Sequence, residues 1–548
     1  MKLKFASVII LLAILASCNQ KASDLQQAEN TINATDMEKH VIALASDEFL
    51  GRQPFTEGEV KTVNYLRSVF ENLGLEGANN GSYFQEVPMV EITFGSPEKL
   101  ELKSPNGIVE LELIKDYVFS TSHVKEQINI ENSELVFAGY GIVAPEFNRN
   151  DYEGLDCKGK TVLVLVNDPG LMTQDPMIFN GNAMTYYGRW TYKYEEAARQ
   201  GATGVLVIHD TKGAGYPWEV ITNTADNKLF VQSEDGNLSN CELNGWITDE
   251  ATSRLFEQCG LNFKELSEKA LSSEFIPVSL NTMISLTMNN KLRYASSKNV
   301  LAMLKGTDLA DECIVYTAHW DHFGVGPIMN GDSIYNGAAD NGIPLASMLE
   351  TAKAFTNLKQ KPRRSVIFLA ITAEETGLLG SKYYAEHPVM PVQKTVANLN
   401  YELFLPIGRM KDVTITGFGQ SELDGYVEEA AKEQDRYIMA DPFPENGMYY
   451  RSDHFSFAKM GVPSLFVKGW SDHREKGKEF ATLKVNDYWA TTYHKPSDEY
   501  DTATADLAGN VEDAKLFFKI GIKLAMENYY PKWSEGSEFK AIREKSMK

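Results

Sequence analysis

The apolar runs between residues 297 and 468 leave few folds open to this chain. NVLAMLKG, CIVYTAHW, SVIFLAIT, TVANLNYELF and VPSLFVK are nearly continuous in apolar residues, and Asn341–Leu358, between the second and third, reads as a helix. Strands apolar on both faces and alternating with helices imply an α/β fold with a mixed, mostly parallel central sheet flanked by helices. Sites in such sheets form at the carboxyl ends of the strands. His319 and Asp321 close one run and Glu374-Glu375 close another, while Asp340 lies in AADNG, a glycine-punctuated loop just before the helix.

Acidic and imidazole groups gathered at strand ends are costly unless something binds them, and a pair of zinc ions would account for the set. Zinc takes histidine nitrogen and carboxylate oxygen, and a catalytic site leaves one position open for water. Two zinc ions serving one hydrolysis share a ligand, and Asp340 is the natural shared carboxylate. Of nine histidines, two stand in suitable contexts: His319, and His494 in YHKPSDEYD. Asp321, two residues from His319, is expected to orient its imidazole. Glu374 and Glu375 can divide their work, one holding metal and the other acting as general base. A solvated surface pair is the bland alternative, and an eight-residue apolar run immediately before them disfavours it.

HWD, AADNG, AEETG, NLNYE and YHKPSDEYD, in this order and with these gaps, resemble the co-catalytic di-zinc exopeptidases. That family includes bacterial leucine-type aminopeptidases and glutamate carboxypeptidase II. LASDEFLGR and SDHFSFAKMGVPSLF are similar to its accessory segments. The resemblance implies that His319, Asp340 and Glu402 hold one zinc, that Asp340, Glu375 and His494 hold the other, and that Glu374 is the base. The family usually has Asp where this chain has Glu402, two residues after Asn400, so one ligand is a methylene longer. SDH also stands where some members have SDY, which makes His454 either a group that stabilises the oxyanion or a histidine packed at the edge of the site. The implied activity is hydrolysis of the N-terminal residue from peptides.

The rest of the chain frames this core. A net charge of −22 argues against nucleic-acid partners, which need a basic footprint. Lys2 and Lys4 precede the apolar run Ala6–Ala16, and Leu15-Ala16-Ser17-Cys18 resembles a bacterial lipobox. This implies a lipoprotein signal peptide over 1–17 and membrane attachment by a lipid anchor at Cys18 alone. With Asn19 following, the expected location is the outer membrane, facing the periplasm or the surface. Residues 18–34 are polar and read as a tether, and 35–95 as the first part of the peptidase domain. Helices are expected from Thr35 or Asp36, and over a stretch with Val60, Val63, Leu66, Val69, Phe70 and Leu73 on one face. Residues 96–290 read as an inserted β-rich domain, in which GYGIVAPEF through GATGVLVIHD is similar to the protease-associated domain of many family members. His209 at a strand end there reads as structural. Residues 291–548 complete the peptidase domain. The remaining cysteines show no metal-like spacing and allow either a Cys241–Cys259 disulfide or free buried thiols. The oligomeric state is left open.

Three rivals stay in view. A carboxypeptidase needs a basic group for the substrate carboxylate, and none stands out beyond Arg451. Glutaminyl cyclases resemble the catalytic part but typically lack an insertion. A binding protein without catalysis should have lost ligands, and only the Asp-to-Glu change departs from the pattern.

Overall fold

The computed structural model describes residues 24–548. The signal segment expected over 1–17 and the lipid anchor at Cys18 lie outside the described residues. Two compact units form. One comprises the chain up to Val87 with Ser297–Asp441 and Arg451–Lys548, and the other comprises Pro88–Ser296 with Pro442–Tyr450. The insertion expected over 96–290 therefore starts earlier and ends later, and Pro442–Tyr450 joins it without any change in composition to mark the segment.

The first unit is built on β1 (Lys291–Leu304, whose second half lies here), β2 (Leu309–His319), β3 (Arg364–Ile371), β4 (Thr395–Asn400), β5 (Asp412–Thr416), β6 (Tyr437–Ala440) and β7 (Ser464–Lys468). Their order is β1-β3-β2-β4-β7-β5-β6. Only the β1-β3 and β7-β5 pairs are antiparallel, so the mostly parallel sheet expected from the apolar runs is what forms. Side chains alternate across a strand. Ile314, Tyr316, Ala318, Val366, Phe368 and Ala370 enter the main core, while Cys313, Val315, Ile367, Leu369 and Ile371 enter a second one on the other face. Because both faces are covered, β3, β4, β5 and β7 are buried at every position. The main core also takes residues of α1 (Ala34–Leu44), α2 (Glu57–Asn72), α3 (Ile343–Thr356) and α4 (Ala508–Met526).

Local expectations need correction in three places. The stretch read as a tether is helical over 24–29, and Ala28 and Ile32 bury in the main core, which offsets the entropy of ordering a polar segment. The cap of α1 is Asn33, whose side chain accepts the Asp36 N–H; neither Thr35 nor Asp36 serves. On α2 the buried stripe is Val63, Leu66 and Phe70, and Val60, in the first turn, is 57% exposed. Of the two alternatives left open for Cys241 and Cys259, free thiols are what the structure holds.

In the second unit an eight-stranded sheet runs, in spatial order, through Gly107–Glu112, Lys99–Ser104, Val278–Asn289, Gln127–Phe137, Lys160–Leu165, Gly204–His209, Leu243–Thr248 and Tyr117–Ser120. His209 ends one of these strands and donates from Nε2 to the Tyr216 carbonyl at 3.1 Å, a structural use of the ring. Among the described residues no helix is long and apolar enough to cross a membrane.

Candidate metal centre

Parallel register brings the candidate residues together. His319 pairs with Ile371 and Thr317 with Asn400, so the ends of β2, β3 and β4 lie side by side. His319 ends β2, Glu374 and Glu375 follow β3, and Glu402 follows β4. Asp340 arrives on the turn before α3, and His494 on the segment after the helix Gly477–Thr491. Ala373, Leu403 and His494 have φ of 52°, 54° and 56°. Left-handed backbone at non-glycine residues costs roughly 1–3 kcal/mol each and persists where surrounding structure enforces it.

Six groups converge. His319 Nε2 lies 3.1 Å from Asp340 Oδ1 and 3.2 Å from Glu402 Oε1, with Glu374 Oε2 at 4.0 Å. His494 Nε2 lies 3.3 Å from Asp340 Oδ2 and 3.2 Å from Glu375 Oε2. Asp340 therefore turns one oxygen to each histidine. Asp340 Oδ1 and His494 Nε2 are buried, yet neither makes an aligned hydrogen bond. His319 Nε2 does hydrogen-bond Glu402 Oε1, whereas Asp340 Oδ1 and His494 Nε2 crowd their neighbours without bonding, as atoms aimed at a common third atom do. Zinc bonds of about 2.0–2.1 Å in a tetrahedron set donor atoms about 3.3 Å apart, which is the spacing seen here. The residues fit divalent cations of the zinc type.

The electrostatics agree. Burial opposes charge on His319, but Glu402, Glu374 and Asp340 outweigh it and hold the imidazole well above its ordinary range. Against the same burial, Glu375 and Asp340 raise His494 to about 10. Burial and then the neighbouring carboxylates Glu402, Glu375 and Asp453 push Glu374 well up, against the pull of His319. Glu375 is drawn down to about 2, since His494 and His322 overcome its burial and the repulsion of Asp340. A cluster this acidic uses its histidines as counter-charges, and a bound cation would take over that task.

Several supports were not legible in the motifs. Asp321 does orient His319, but through its main chain: His319 Nδ1 donates to the Asp321 carbonyl at 3.1 Å, and Asp321 Oδ1 stands 3.8 Å away. The Asp321 carboxylate instead accepts the N–H groups of Glu374 at 3.0 Å and Glu375 at 3.4 Å, which aims the two glutamates. Asn400 is not in the cluster. It accepts from Thr317 Oγ1 and donates to Ser452 Oγ, which donates to Glu402 Oε2 at 2.9 Å, and this relay steadies the Glu402 carboxylate. Asp498 accepts the N–H groups of Ala339 and Asp340 at 3.0 and 3.1 Å. His454 is fully buried with its ring 5.3 Å from that of Phe466, and it belongs to none of the clusters of potential metal-holding groups.

Sequence reasoning passed over His322 and Arg52. His322 Nδ1 lies 2.5 Å from Glu375 Oε1, and His322, Asp340 and Glu375 form a further cluster able to hold a cation. Its ring fits because a Cβ on Gly337 would stand 2.5 Å from His322 Cδ2. Arg52, at the end of LASDEFLGR, is completely buried and donates to the carbonyls of Leu44, Trp320, Asn336 and Gly337. Adjacency to Asp321 was the one signal for His322, and the Gly-Arg ending the one signal for Arg52.

Residues 299–518 match the sequence profile described as Peptidase family M28. Aminopeptidase NAALADL1 of Mus musculus is 28% identical over 155 residues, which is 27% of this chain and 19% of that protein. The probable leucine aminopeptidase 2 of Aspergillus oryzae is 30% identical over 186 residues, 33% of this chain and 35% of that one. These matches thus span a fifth to about a third of the two relatives' own lengths. Among solved structures, an aminopeptidase from Aneurinibacillus sp. strain AM-1 aligns with a TM-score of 0.46 at 18% identity, covering 92% of this chain and 97% of that one. The resemblance to a peptidase family read from the motifs holds over residues 299–518, the segment that carries every clustered candidate residue.

Proposed function

We propose that this chain is a zinc-dependent exopeptidase, an aminopeptidase that removes the N-terminal residue of peptides with two zinc ions per chain. The shared carboxylate carries the reading: Asp340 turns Oδ1 to His319 at 3.1 Å and Oδ2 to His494 at 3.3 Å. His319, Asp340 and Glu402 would hold one ion, and Asp340, Glu375 and His494 the other. Bound zinc supplies Lewis acidity, which polarises a carbonyl and lowers the pKa of water. Glu374, whose Oε2 stands 4.0 Å from His319 Nε2, takes a proton from the attacking water as the new C–O bond forms. It gives that proton to the amine as the C–N bond breaks, so one water is consumed and a free amino acid leaves. The aminopeptidase names of the two relatives support the amino-terminal choice.

The Leu15-Ala16-Ser17-Cys18 signal supports attachment to the cell envelope through Cys18, and the similarity of its strand runs supports the unit around Pro88–Ser296 as a protease-associated domain. Hydrolysis of aminoacyl-p-nitroanilides tests the activity, with chelator, zinc add-back and Glu374→Gln as arms. Activity should vanish with chelator, return with zinc and be lost at least 100-fold in the variant, in line with the roughly 10²–10⁴-fold value of a general base. A protein that binds two zinc ions but cleaves no member of the panel refutes the aminopeptidase reading.

A further inference from the structure

The end of β7 carries a cation that the chemistry above does not use. Lys468 closes that strand and is only 6% exposed. Strands β4 and β7 pair in parallel through Asn398–Ser464, Leu399–Leu465 and Asn400–Phe466. Glu402 and Lys468 each follow two residues after the last of these pairs, on neighbouring strand ends.

The Lys468 ammonium makes no hydrogen bond or ion pair with a described residue. Its near neighbours are aromatic faces, with Nζ 4.1 Å from the Trp470 ring centre and 4.9 Å from that of Phe466. Burial pushes the ammonium down to about 8, and Glu402 leads the carboxylates that draw it back up. Trp470 packs, with Leu405 and Tyr493, on a small apolar cluster of Ala339, Leu403 and Tyr488. Three of these residues adjoin metal-site residues in the chain: Ala339 precedes Asp340, Leu403 follows Glu402 and Tyr493 precedes His494. The ring that covers Lys468 thus belongs to an apolar wall beside the cluster.

An ammonium largely withdrawn from water and held only by aromatic faces keeps part of its desolvation cost uncompensated. An arriving anion removes the remainder. We propose that Lys468 receives a carboxylate of the substrate, so that the enzyme favours peptides with an anionic group on one side of the scissile bond. The proposal rests on the exopeptidase reading and deepens it. Such a carboxylate has two sources, the C-terminus of a short peptide or an acidic side chain.

Paired substrates separate them. Leucylglycine is compared with its amide, and glutamyl- with glutaminyl-p-nitroanilide, using wild type, Lys468→Met and Lys468→Arg at equal zinc content. The acid member of one pair should have a KM about tenfold lower in wild type, the worth of one charge-assisted hydrogen bond. That ratio should collapse to within about twofold in Lys468→Met and be largely restored in Lys468→Arg. The leucylglycine pair responding identifies the terminal carboxylate, and the anilide pair responding identifies the side chain. A lysine that merely balances Glu402 would change both members of each pair alike, and an unchanged ratio overturns the proposal. If wild type hydrolyses nothing, the exopeptidase reading fails, while calorimetric binding of the same pairs to Glu374→Gln still decides the matter: equal affinity for acid and amide in both pairs overturns it.

Discussion

Arg52 ties the metal centre to the N-terminal helices, and replacing it with Met should loosen the site without touching a ligand. Its guanidinium donates to four carbonyls: Trp320 at 2.8 Å from Nε, Leu44 at 2.7 Å and Asn336 at 2.5 Å from Nη1, and Gly337 at 2.9 Å from Nη2. Trp320 sits between His319 and Asp321, and Gly337 begins the turn that carries Asp340. Hydrogen bonds to a charged group are worth about 1.5–3 kcal/mol each, and the cost of burying the guanidinium offsets part of that sum. Arg52→Met leaves those four carbonyls without this donor, and one buried acceptor left unsatisfied costs about 1–3 kcal/mol, so a net loss of about 3 kcal/mol is expected. Lys at 52 should recover less than half, since a single ammonium cannot span a planar fork of carbonyls. Two units make global unfolding an uncertain measure, so amide exchange of residues 336–342 in the zinc-free protein is the better assay. A loss of about 3 kcal/mol raises exchange there about 100-fold, and zinc affinity should fall with it. Exchange within threefold of wild type, at unchanged zinc affinity, would refute the reasoning.

Other expectations follow from the same geometry. His322→Ala removes the group 2.5 Å from Glu375 Oε1 and should weaken the zinc held by Glu375 and His494 about 10–100-fold while sparing the other; competition titration with a chelator reads both constants. Gly337→Ala places a Cβ 2.2 Å from the Asp340 carbonyl at a φ of +57°, so it should lower both zinc affinity and melting temperature, and wild-type values for both would contradict the packing. Acid should destabilise the N-terminal region through His40, which burial and then Lys353 depress to about 4. The unfolded chain then binds the proton more readily, so stability is intact above pH 6.5 and falls toward pH 4, by at most about 3 kcal/mol at 1.36 kcal/mol per pKa unit. His40→Gln should flatten that slope, and an unchanged slope would assign the acid sensitivity elsewhere.

Much of this protein could be read along the chain because its information is local. Apolar runs with no alternation marked β2, β3, β4 and β7, since a strand buried on both faces must be apolar at every position. Donor types at strand ends marked His319, Glu374 and Glu375, a glycine-punctuated loop marked Asp340, the YHKPSDEYD context marked His494, and Glu402 came from the family resemblance. Short strands such as Asp412–Thr416 escaped notice, since five residues carry too little periodicity.

What lies outside that reach acts through space. The helical turn at 24–29 follows from where Ala28 and Ile32 land in the core, not from its polar composition. Whether Asp321 would orient a ring by its carboxylate or its carbonyl depended on an angle that no spacing encodes. His322, Arg52, Ser452 and Lys468 are ordinary letters in the chain, and each gained its role from the groups folding set against it. Sequence alone determined which residue types could hold a cation and that His319, Glu374 and Glu375 would sit where strands end. Only the tertiary structure decided which oxygen of Asp340 meets which histidine, because hydrogen-bond and coordination energies depend on distances of a few tenths of an ångström that packing sets.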